Sequence, residues 1–274
     1  MNYLKTHRNV NIALFLLALT GATWFAAFDI QPKQYVTVTF LDVGEGDATL
    51  IQGRNGNQIL IDGGPDREAL VSLSKAMPYF DRTISAIIEL SDNKANTTGI
   101  PFIMEEYPPE KLFTLWHNVQ STAHIEIMRK ANKNNIPIIE LTDGMKIDLR
   151  DGSYIRIFGK VGVYAIQYTY RNTCVFIAGD MTAKAEAEFL RMHTDISCQV
   201  LKVAHHGAKT GTSDMFLSQM KPSYAILSNS KENRYSYPDQ EVLDRLKKHE
   251  VAPLQTFESG TIHIILDGKN IVVK

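Results

Sequence analysis

The sequence is constrained most by short motifs containing Asp, His and Gly, each of which ends an apolar segment. Four such motifs occur in order along the chain, at 40–47, 61–64, 178–180 and 201–207. Rigid strands fix the geometry of polar side chains that follow them and leave room for a ligand. The four motifs therefore mark the loops where a functional site is expected.

Hydrophobic periodicity predicts an α/β fold built from two sheets. Runs of strand length cover 35–42, 48–52, 58–62, 84–90, 111–115 and 136–141, then 145–149, 154–158, 164–170, 173–178, 200–204, 224–228, 254–256, 261–266 and 271–273. Helical spacing covers 66–76, 122–134, 182–192, 213–220 and 240–249. Strands, then helices, then strands again indicate two sheets packed back to back with helices outside, an αββα sandwich.

The N-terminal segment is basic and then apolar. Lys5 and Arg8 lie in a stretch without acidic residues, and 11–28 is uncharged and mostly apolar. About 18 to 20 apolar residues can cross a bilayer as a helix, with the basic flank on the cytoplasmic side. We therefore expect one transmembrane helix within residues 1–30, followed by a single domain at 35–274. A cleaved signal peptide is the alternative. Either interpretation places the domain on the extracytoplasmic side of the cell membrane.

Charge and cysteine content restrict the function further. With 29 basic and 30 acidic residues, the net charge is −1, so no general basic field is available for nucleic acid. Binding to DNA would have to use a local patch. Cys174 and Cys198 could form a disulfide in an oxidising compartment. The pattern favours two buried thiols instead, since both cysteines lie in core-type runs.

Taken together, the motifs resemble the metallo-β-lactamase-fold domain of ComEC-type DNA-uptake (competence) proteins. The run Asn233, Arg234 and Tyr235 also matches that family, and the resemblance extends from about residue 35 to 267. It implies a metallo-hydrolase sandwich related to the domain proposed to act on incoming DNA. In such proteins the domain is joined to a channel of many helices.

One motif of that family is altered in this chain. Where the family carries His-x-His/Asp-x-Asp-His, this sequence has Asp92, Lys94, Asn96 and Thr97. Lysine accepts no hydrogen bond and repels a cation, and the Asn and Thr oxygens are neutral. We refer to residues 90–99 as the altered loop. The family histidine further downstream is likewise replaced, by Tyr237.

The resemblance leaves Asp180 and His205 as residual metal ligands, with His206 as an alternative donor and Asp92 as a further candidate. The altered loop predicts no cofactor, with the ammonium of Lys94 in the metal's place beside Asp180. Lys94 could instead point to solvent. Zinc, manganese or magnesium at a weakened site of Asp92, Asp180 and His205 is the other alternative, because hard ions accept carboxylate ligands.

Several other residues are candidates for contacts with a ligand. A phosphodiester backbone could be contacted near the site, and Tyr235 could stack on a base. The alternative is a loop that packs on the sandwich. The predicted ligand-binding residues are Lys94, His206, Lys209, Asn233, Arg234 and Tyr235. Two carboxylates, Asp42 and Asp47, are interpreted as residues whose side chains bond a tight turn. Three further residues are interpreted as surface or packing residues: Trp116, His117 and His124.

These observations favour a membrane-anchored, non-hydrolytic module that binds DNA or a protein of the uptake machinery. The alternative is an active metal-dependent hydrolase of nuclease or phosphodiesterase type. A third hypothesis is an interaction module that uses only the surface of the sandwich. A measurement of metal content distinguishes the first two hypotheses. The sequence does not indicate the oligomeric state.

Overall fold

In the computed structural model of this chain, residues 2–29, 33–79, 82–115, 121–160, 163–193, 195–233 and 235–274 are described, with the backbone alone for 2–9, 25–29 and 160. A helix, α1, spans Asn2–Asp29. Within these ranges, no helix combines the length and apolar character needed to cross a membrane. The N-terminal helix is thus present, but the transmembrane span expected there is not supported.

Fifteen strands are found in the described parts of the chain, and they form two sheets. They are β1 (Val36–Phe40), β2 (Thr49–Gln52), β3 (Gln58–Ile61), β4 (Ala86–Ile88), β5 (Leu112–Thr114), β6 (Ile138–Glu140), β7 (Lys146–Asp148), β8 (Ser153–Lys160), β9 (Val163–Tyr170), β10 (Thr173–Ile177), β11 (Val200–Lys202), β12 (Tyr224–Leu227), β13 (Ala252–Gln255), β14 (Ile262–Leu266) and β15 (Ile271–Val273). The first sheet has the order β15-β14-β1-β2-β3-β4-β5-β6, and the second has the order β13-β12-β11-β10-β9-β8-β7.

Helices cover the outer face of each sheet. They are α2 (Glu68–Ala76), α3 (Lys94–Thr97), α4 (Ile100–Glu106), α5 (Thr122–Lys133), α6 (Ala183–Met192), α7 (Asp214–Met220), α8 (Gln240–Lys248) and α9 (Thr256–Ser259), with a 3₁₀ turn at Ala204–Gly207. Hydroxyl side chains cap three of them. Ser121, Thr182 and Ser213 accept backbone N–H bonds at the starts of α5, α6 and α7, which satisfies otherwise unpaired donors.

Three apolar layers hold the sandwich together. The central layer lies between the sheets, where residues such as Ile88 and Val175 are buried together. A second layer packs α2, α4 and α5 on the first sheet, and a third packs α6, α7 and α8 on the second. Strands covered on both faces read as continuous apolar runs, as in β4 and β10. The αββα architecture expected from the sequence is confirmed.

Cys174 and Cys198 are joined by a disulfide, so the expectation of two free thiols is wrong. Parallel pairing of β10 with β11 sets Val175 opposite Val200, which brings the two cysteines close together. Their Cα atoms are 5.2 Å apart, within the usual range for a disulfide. The register of the two strands, which the sequence does not specify, decides this pairing.

Candidate functional site

The motif loops meet at one edge of the sandwich, where parallel strands of both sheets end. Strands β3 and β4 are parallel in the first sheet, and β10, β11 and β12 are parallel in the second. The loop after β1 then reaches across to the end of β11, where Asp47 contacts Lys202. This edge, formed by loops from both sheets, is the candidate site.

A buried ion pair links the two sheets at the candidate site. The Nζ atom of Lys202 lies 2.7 Å from Oδ1 of Asp47, and only 1% of the lysine side chain is exposed. Nδ1 of His206 lies 3.4 Å from the same oxygen and also bonds to the Ser228 carbonyl. Burial opposes ionisation of Asp47, but Lys202 and His206 hold its pKa well below the ordinary range. Burial likewise opposes the charged imidazole, yet the Asp47 carboxylate raises the pKa of His206.

The role expected for Asp47 is therefore corrected. Its side chain does not close a turn; it neutralises a lysine in the interior. Asp42 does bond to its own turn, because its Oδ1 accepts the Gly44 N–H at 3.3 Å. Asp47 and Lys202 are far apart in sequence, and no spacing rule connects them.

Asp180 and His205, the two residual family ligands, are brought together. Nε2 of His205 lies 3.7 Å from Oδ1 of Asp180, and no described residue forms a hydrogen bond with that buried oxygen. Burial raises the pKa of Asp180, with His205 opposing the shift and Asp47 adding to it. His205 and His206 both have left-handed backbone angles, with φ of 48° and 55°. Non-glycine residues in this region cost energy and often occur at functional sites.

Asp62 is a third carboxyl group at the same edge. It is buried with φ of 56°, and its Oδ1 accepts the Leu90 N–H at 2.9 Å. Burial raises its pKa well above the ordinary value. The Leu90 hydrogen bond opposes this shift, whereas the charges of Asp47, Asp180 and Glu89 add to it. The sequence marks 61–64 as one of the loops of the expected site, but it does not indicate the raised pKa of Asp62.

The altered loop uses its polar atoms for its own hydrogen bonds. Asn96 is buried, its Oδ1 accepts the Asp47 N–H, and its Nδ2 donates to Ser91 Oγ, both at 3.1 Å. Its carbonyl accepts the Gly63 N–H at 2.6 Å. Thr97 Oγ1 donates to the Asn93 carbonyl at 2.9 Å. Asn96 thus joins three loops through direct hydrogen bonds.

The donor set does not fit the zinc ion that the fold family implies. Such a site needs about three protein ligands that converge with open lone pairs. The side-chain oxygens of Asn96 and Thr97 are already used in hydrogen bonds to Asp47 and Asn93, and Asp92 is exposed. Across the described ranges, no three His, Cys, Asp or Glu side chains are grouped so that they could hold a metal ion. The proposed trio of Asp92, Asp180 and His205 is not assembled.

Lys94 does not occupy the position expected from the sequence. It is exposed at the first position of α3, and the charged neighbours of Asp180 are His205, Asp47, His206 and Lys202. The predicted Lys94–Asp180 pair is therefore wrong, and Lys202 supplies the buried cation near the carboxylates. Lys94 instead lines an open cleft of about 440 Å³ with Phe102, Thr122 and Lys130 among its other walls.

A second buried polar cluster, not expected from the sequence, lies next to the candidate site. Glu89 follows β4 and is fully buried, and Nδ1 of His124 lies 2.9 Å from one of its oxygens. The Thr114 hydroxyl donates to the same carboxylate. His124, interpreted from the sequence as a surface or packing residue, is thus a buried partner of a carboxylate. Trp116 and His117 lie outside the described residues.

The loop after β12 carries the last group of predicted ligand-binding residues. Asn233 fixes it, because Nδ2 donates to the Tyr237 carbonyl and Oδ1 accepts the Tyr237 N–H, both at 2.7 Å. Tyr235 stacks on Tyr237 with ring centroids 5.4 Å apart. The Lys209 N–H bonds to Asp239 Oδ2 at 2.7 Å, which ties the two loops together. Arg234 lies outside the described residues.

Sequence comparisons place this chain beside competence proteins. Recombination protein 2 of Haemophilus influenzae is 28% identical over 253 residues, which cover 83% of this chain and 28% of that protein. ComE operon protein 3 of Bacillus subtilis is 41% identical over 86 residues, covering 31% of this chain and 11% of that protein. The chain thus spans a minor part of these relatives' length. No protein-family model matches the sequence.

Solved structures share the fold at low sequence identity. A CmlA β-hydroxylase variant aligns with a TM-score of 0.62 and 9% identity, covering 84% of this chain and 54% of that protein. Zinc-bound PqqB from Methylobacterium extorquens aligns with a TM-score of 0.56 and 7% identity, covering 80% and 97%. The fold and the loops at its site edge define a protein of the metallo-β-lactamase fold. Its sequence relatives identify it further as a relative of the ComEC-type competence proteins, as the motifs predicted.

Proposed function

We propose that this protein is a DNA-binding accessory module of DNA uptake that works without metal-dependent hydrolysis. The observation that carries the proposal is the altered loop. Where the family has metal ligands, Asn96 and Thr97 bond to their own surroundings, and Lys94 and Asp92 are exposed. The competence relatives support the link to DNA uptake. The proposal assigns ligand binding to Lys94, His206, Lys209, Asn233, Arg234 and Tyr235.

We also place the domain outside the cytoplasmic membrane, attached through α1. The Cys174–Cys198 disulfide supports an oxidising compartment, because such bonds are rare in the cytosol. The described side chains of α1 support attachment, since Leu14, Phe15, Leu17 and Trp24 are large, apolar and exposed. An exposed apolar surface of this kind is typical of an interaction site with lipid or protein.

The alternative is an active hydrolase that completes its site in another way. Two buried atoms support this alternative: within the described parts of the chain, Oδ1 of Asp180 and Nε2 of His206 have no hydrogen-bond partner. Buried polar atoms are usually paired, and an unpaired one calls for an explanation. In this interpretation a ligand group or a partner protein would satisfy them.

The deciding experiment measures metal content, cleavage and DNA binding on the same preparation. The full chain is purified without chelators, analysed for zinc, manganese and magnesium, and incubated with single- and double-stranded DNA. We expect less than stoichiometric metal, no cleavage, and retained binding of DNA. Stoichiometric metal together with cleavage that chelation abolishes would overturn the proposal in favour of the hydrolase.

A further inference from the structure

The loop after β12 holds an exposed aromatic ring in a fixed position beside the candidate site. Tyr235 is 57% exposed, although its ring lies against Tyr237 with an interplanar angle of 21°. Exposed tyrosines are ordinarily free to change rotamer, so a stacked pair at the surface is a constrained arrangement. The pair forms a flat aromatic surface, which we call the tyrosine platform.

The backbone beneath the tyrosine platform is held by three hydrogen bonds of one side chain. The Asn233 side chain bonds to the Tyr237 N–H, the Tyr237 carbonyl and the Ser230 carbonyl, at 2.7, 2.7 and 3.0 Å. A ring held in this way loses little conformational freedom when a ligand stacks on it, which favours binding.

The platform is also fixed to the turn that carries His205 and His206. Pro238 packs on Gly207 so closely that a Cβ atom on the glycine would lie 2.6 Å from the proline Cβ. The Asp239 N–H donates to the Gly207 carbonyl at 2.9 Å. A ligand that entered the site edge would therefore meet the platform at a fixed distance from the histidine turn.

The electrostatic surroundings indicate what kind of ligand the platform takes. The charges of Asp239 and Glu45 act on Tyr237, after burial, to raise its pKa. The immediate surroundings thus include two acidic groups, which disfavour close phosphate contacts. A ligand that binds by ring stacking suits this surface better than one that binds through its phosphates.

We propose that the tyrosine platform stacks an unpaired nucleobase of single-stranded DNA. The inference rests on the proposed function for the DNA ligand and adds the part of that ligand that is recognised. Tyr237 provides the ring that supports Tyr235. Because every base has a π-face, such stacking does not depend on the DNA sequence. It contributes about 1–3 kcal/mol of binding free energy per base.

The test measures how tightly the full chain binds two fluorescein-labelled strands, using fluorescence anisotropy. One strand is an oligo(dT) 12-mer, and the other is the same strand carrying abasic sites. We expect the abasic strand to bind about tenfold more weakly, as loss of one stacked base implies. Tyr235→Leu should bind the intact strand about tenfold more weakly than the wild type does, and it should bind the intact and abasic strands equally. Tyr235→Phe, which keeps the aromatic ring, should still bind the intact strand more tightly than the abasic strand.

Tyr79→Leu serves as the matched control, because Tyr79 is an exposed tyrosine that precedes β4, at the opposite end of that strand from the site. Circular dichroism and thermal melting should show that all variants fold. Equal binding of intact and abasic strands, or wild-type binding by Tyr235→Leu, would overturn the platform and leave the proposed function standing. Failure of the wild-type chain to bind either strand would overturn both.

Discussion

At the scale of single residues, a buried lysine sets the charge balance of the site. Lys202 lies 2.7 Å from Asp47 with almost no exposed surface, so neither group can be hydrated by bulk water. Removing one member of a buried pair leaves an uncompensated charge, which costs far more than the pair contributes. The main contribution of Lys202 to stability is therefore that it keeps Asp47 from being an unpaired buried charge.

We predict that Lys202→Met destabilises the fold by about 3–5 kcal/mol, because Asp47 is left buried without its main partner. Urea unfolding followed by circular dichroism measures this. The control is Lys202→Met combined with Asp47→Asn, which should recover at least about 1 kcal/mol through the coupling of neighbouring sites. Strictly additive losses in the double variant would show that the two residues do not form an energetic pair.

Asp62 gives a pH-dependent prediction, because its pKa is raised, whereas that of Asp47 is lowered. Its folded-state pKa lies well above the unfolded value of about 3.9. At pH values between the unfolded and the folded pKa, Asp62 is therefore protonated in the folded protein and ionised in the unfolded chain. By linkage, stability falls as pH rises through the interval, by up to about 1.4 kcal/mol per pH unit.

Asp62→Asn removes that titration while keeping an oxygen that can accept the Leu90 N–H. Its unfolding free energy, relative to the wild type, should therefore increase between pH 5 and pH 7.5. Denaturation curves at several pH values provide the measurement. Parallel pH profiles for the two proteins would contradict a raised pKa at this position.

At the scale of elements, the altered loop is stabilised by one buried amide. Asn96→Ala removes the bonds to the Asp47 N–H and to Ser91 Oγ. It leaves a buried donor unsatisfied, so we expect a loss of about 1–3 kcal/mol. Ser74→Ala is the control, since that hydroxyl donates to the Val71 carbonyl of its own helix and its removal should change stability by less than about 0.5 kcal/mol. Equal effects of the two substitutions on the urea midpoint would refute this role of Asn96.

The disulfide gives a second prediction at this scale. Its cysteines are 24 residues apart in sequence, and closing a loop of that length stabilises a fold by about 3.5 kcal/mol in the chain-entropy account. Replacing both cysteines by alanine should lower the unfolding free energy by about that amount. Thiol titration of the denatured wild-type chain should find no free thiol before reduction, and two free thiols would contradict the bond.

Local patterns predict elements well and contacts between distant elements poorly. Helices α5, α6 and α8 follow from apolar spacing, with a hydroxyl cap at the start of α5 and of α6. Strands β4 and β10 follow from continuous apolar runs. The pairing of Glu89 with His124 depends on how α5 packs beside β4 and β5, which no local spacing encodes. The same holds for Asp47 and Lys202. Motif resemblance located the site edge, but it gave Lys94 a role that belongs to Lys202.

At the scale of the whole molecule, the sandwich brings together Asp180 and His205, which the sequence predicts to be residual metal ligands. Asp180 and His205 remain 3.7 Å apart, and the altered loop still follows β4. If the scaffold positions this loop as in its relatives, family ligands placed there should converge on Asp180 and His205. The restored variant carries four substitutions: Asp92→His, Lys94→His, Asn96→Asp and Thr97→His.

We expect the restored variant to be less stable than the wild type without metal, because Asn96 no longer bonds to Ser91. Zinc should bind it at one or more ions per chain and raise its melting temperature, since a ligand that binds only the folded state stabilises it by RT ln(1 + [L]/Kd). The wild type should show neither effect. Adding Asp180→Asn and His205→Ala should abolish the gain, which ties the ion to Asp180 and His205. Equal zinc content and equal zinc-dependent stabilisation in the wild type would mean that the chain still builds a metal centre, by ligands other than those of the altered loop.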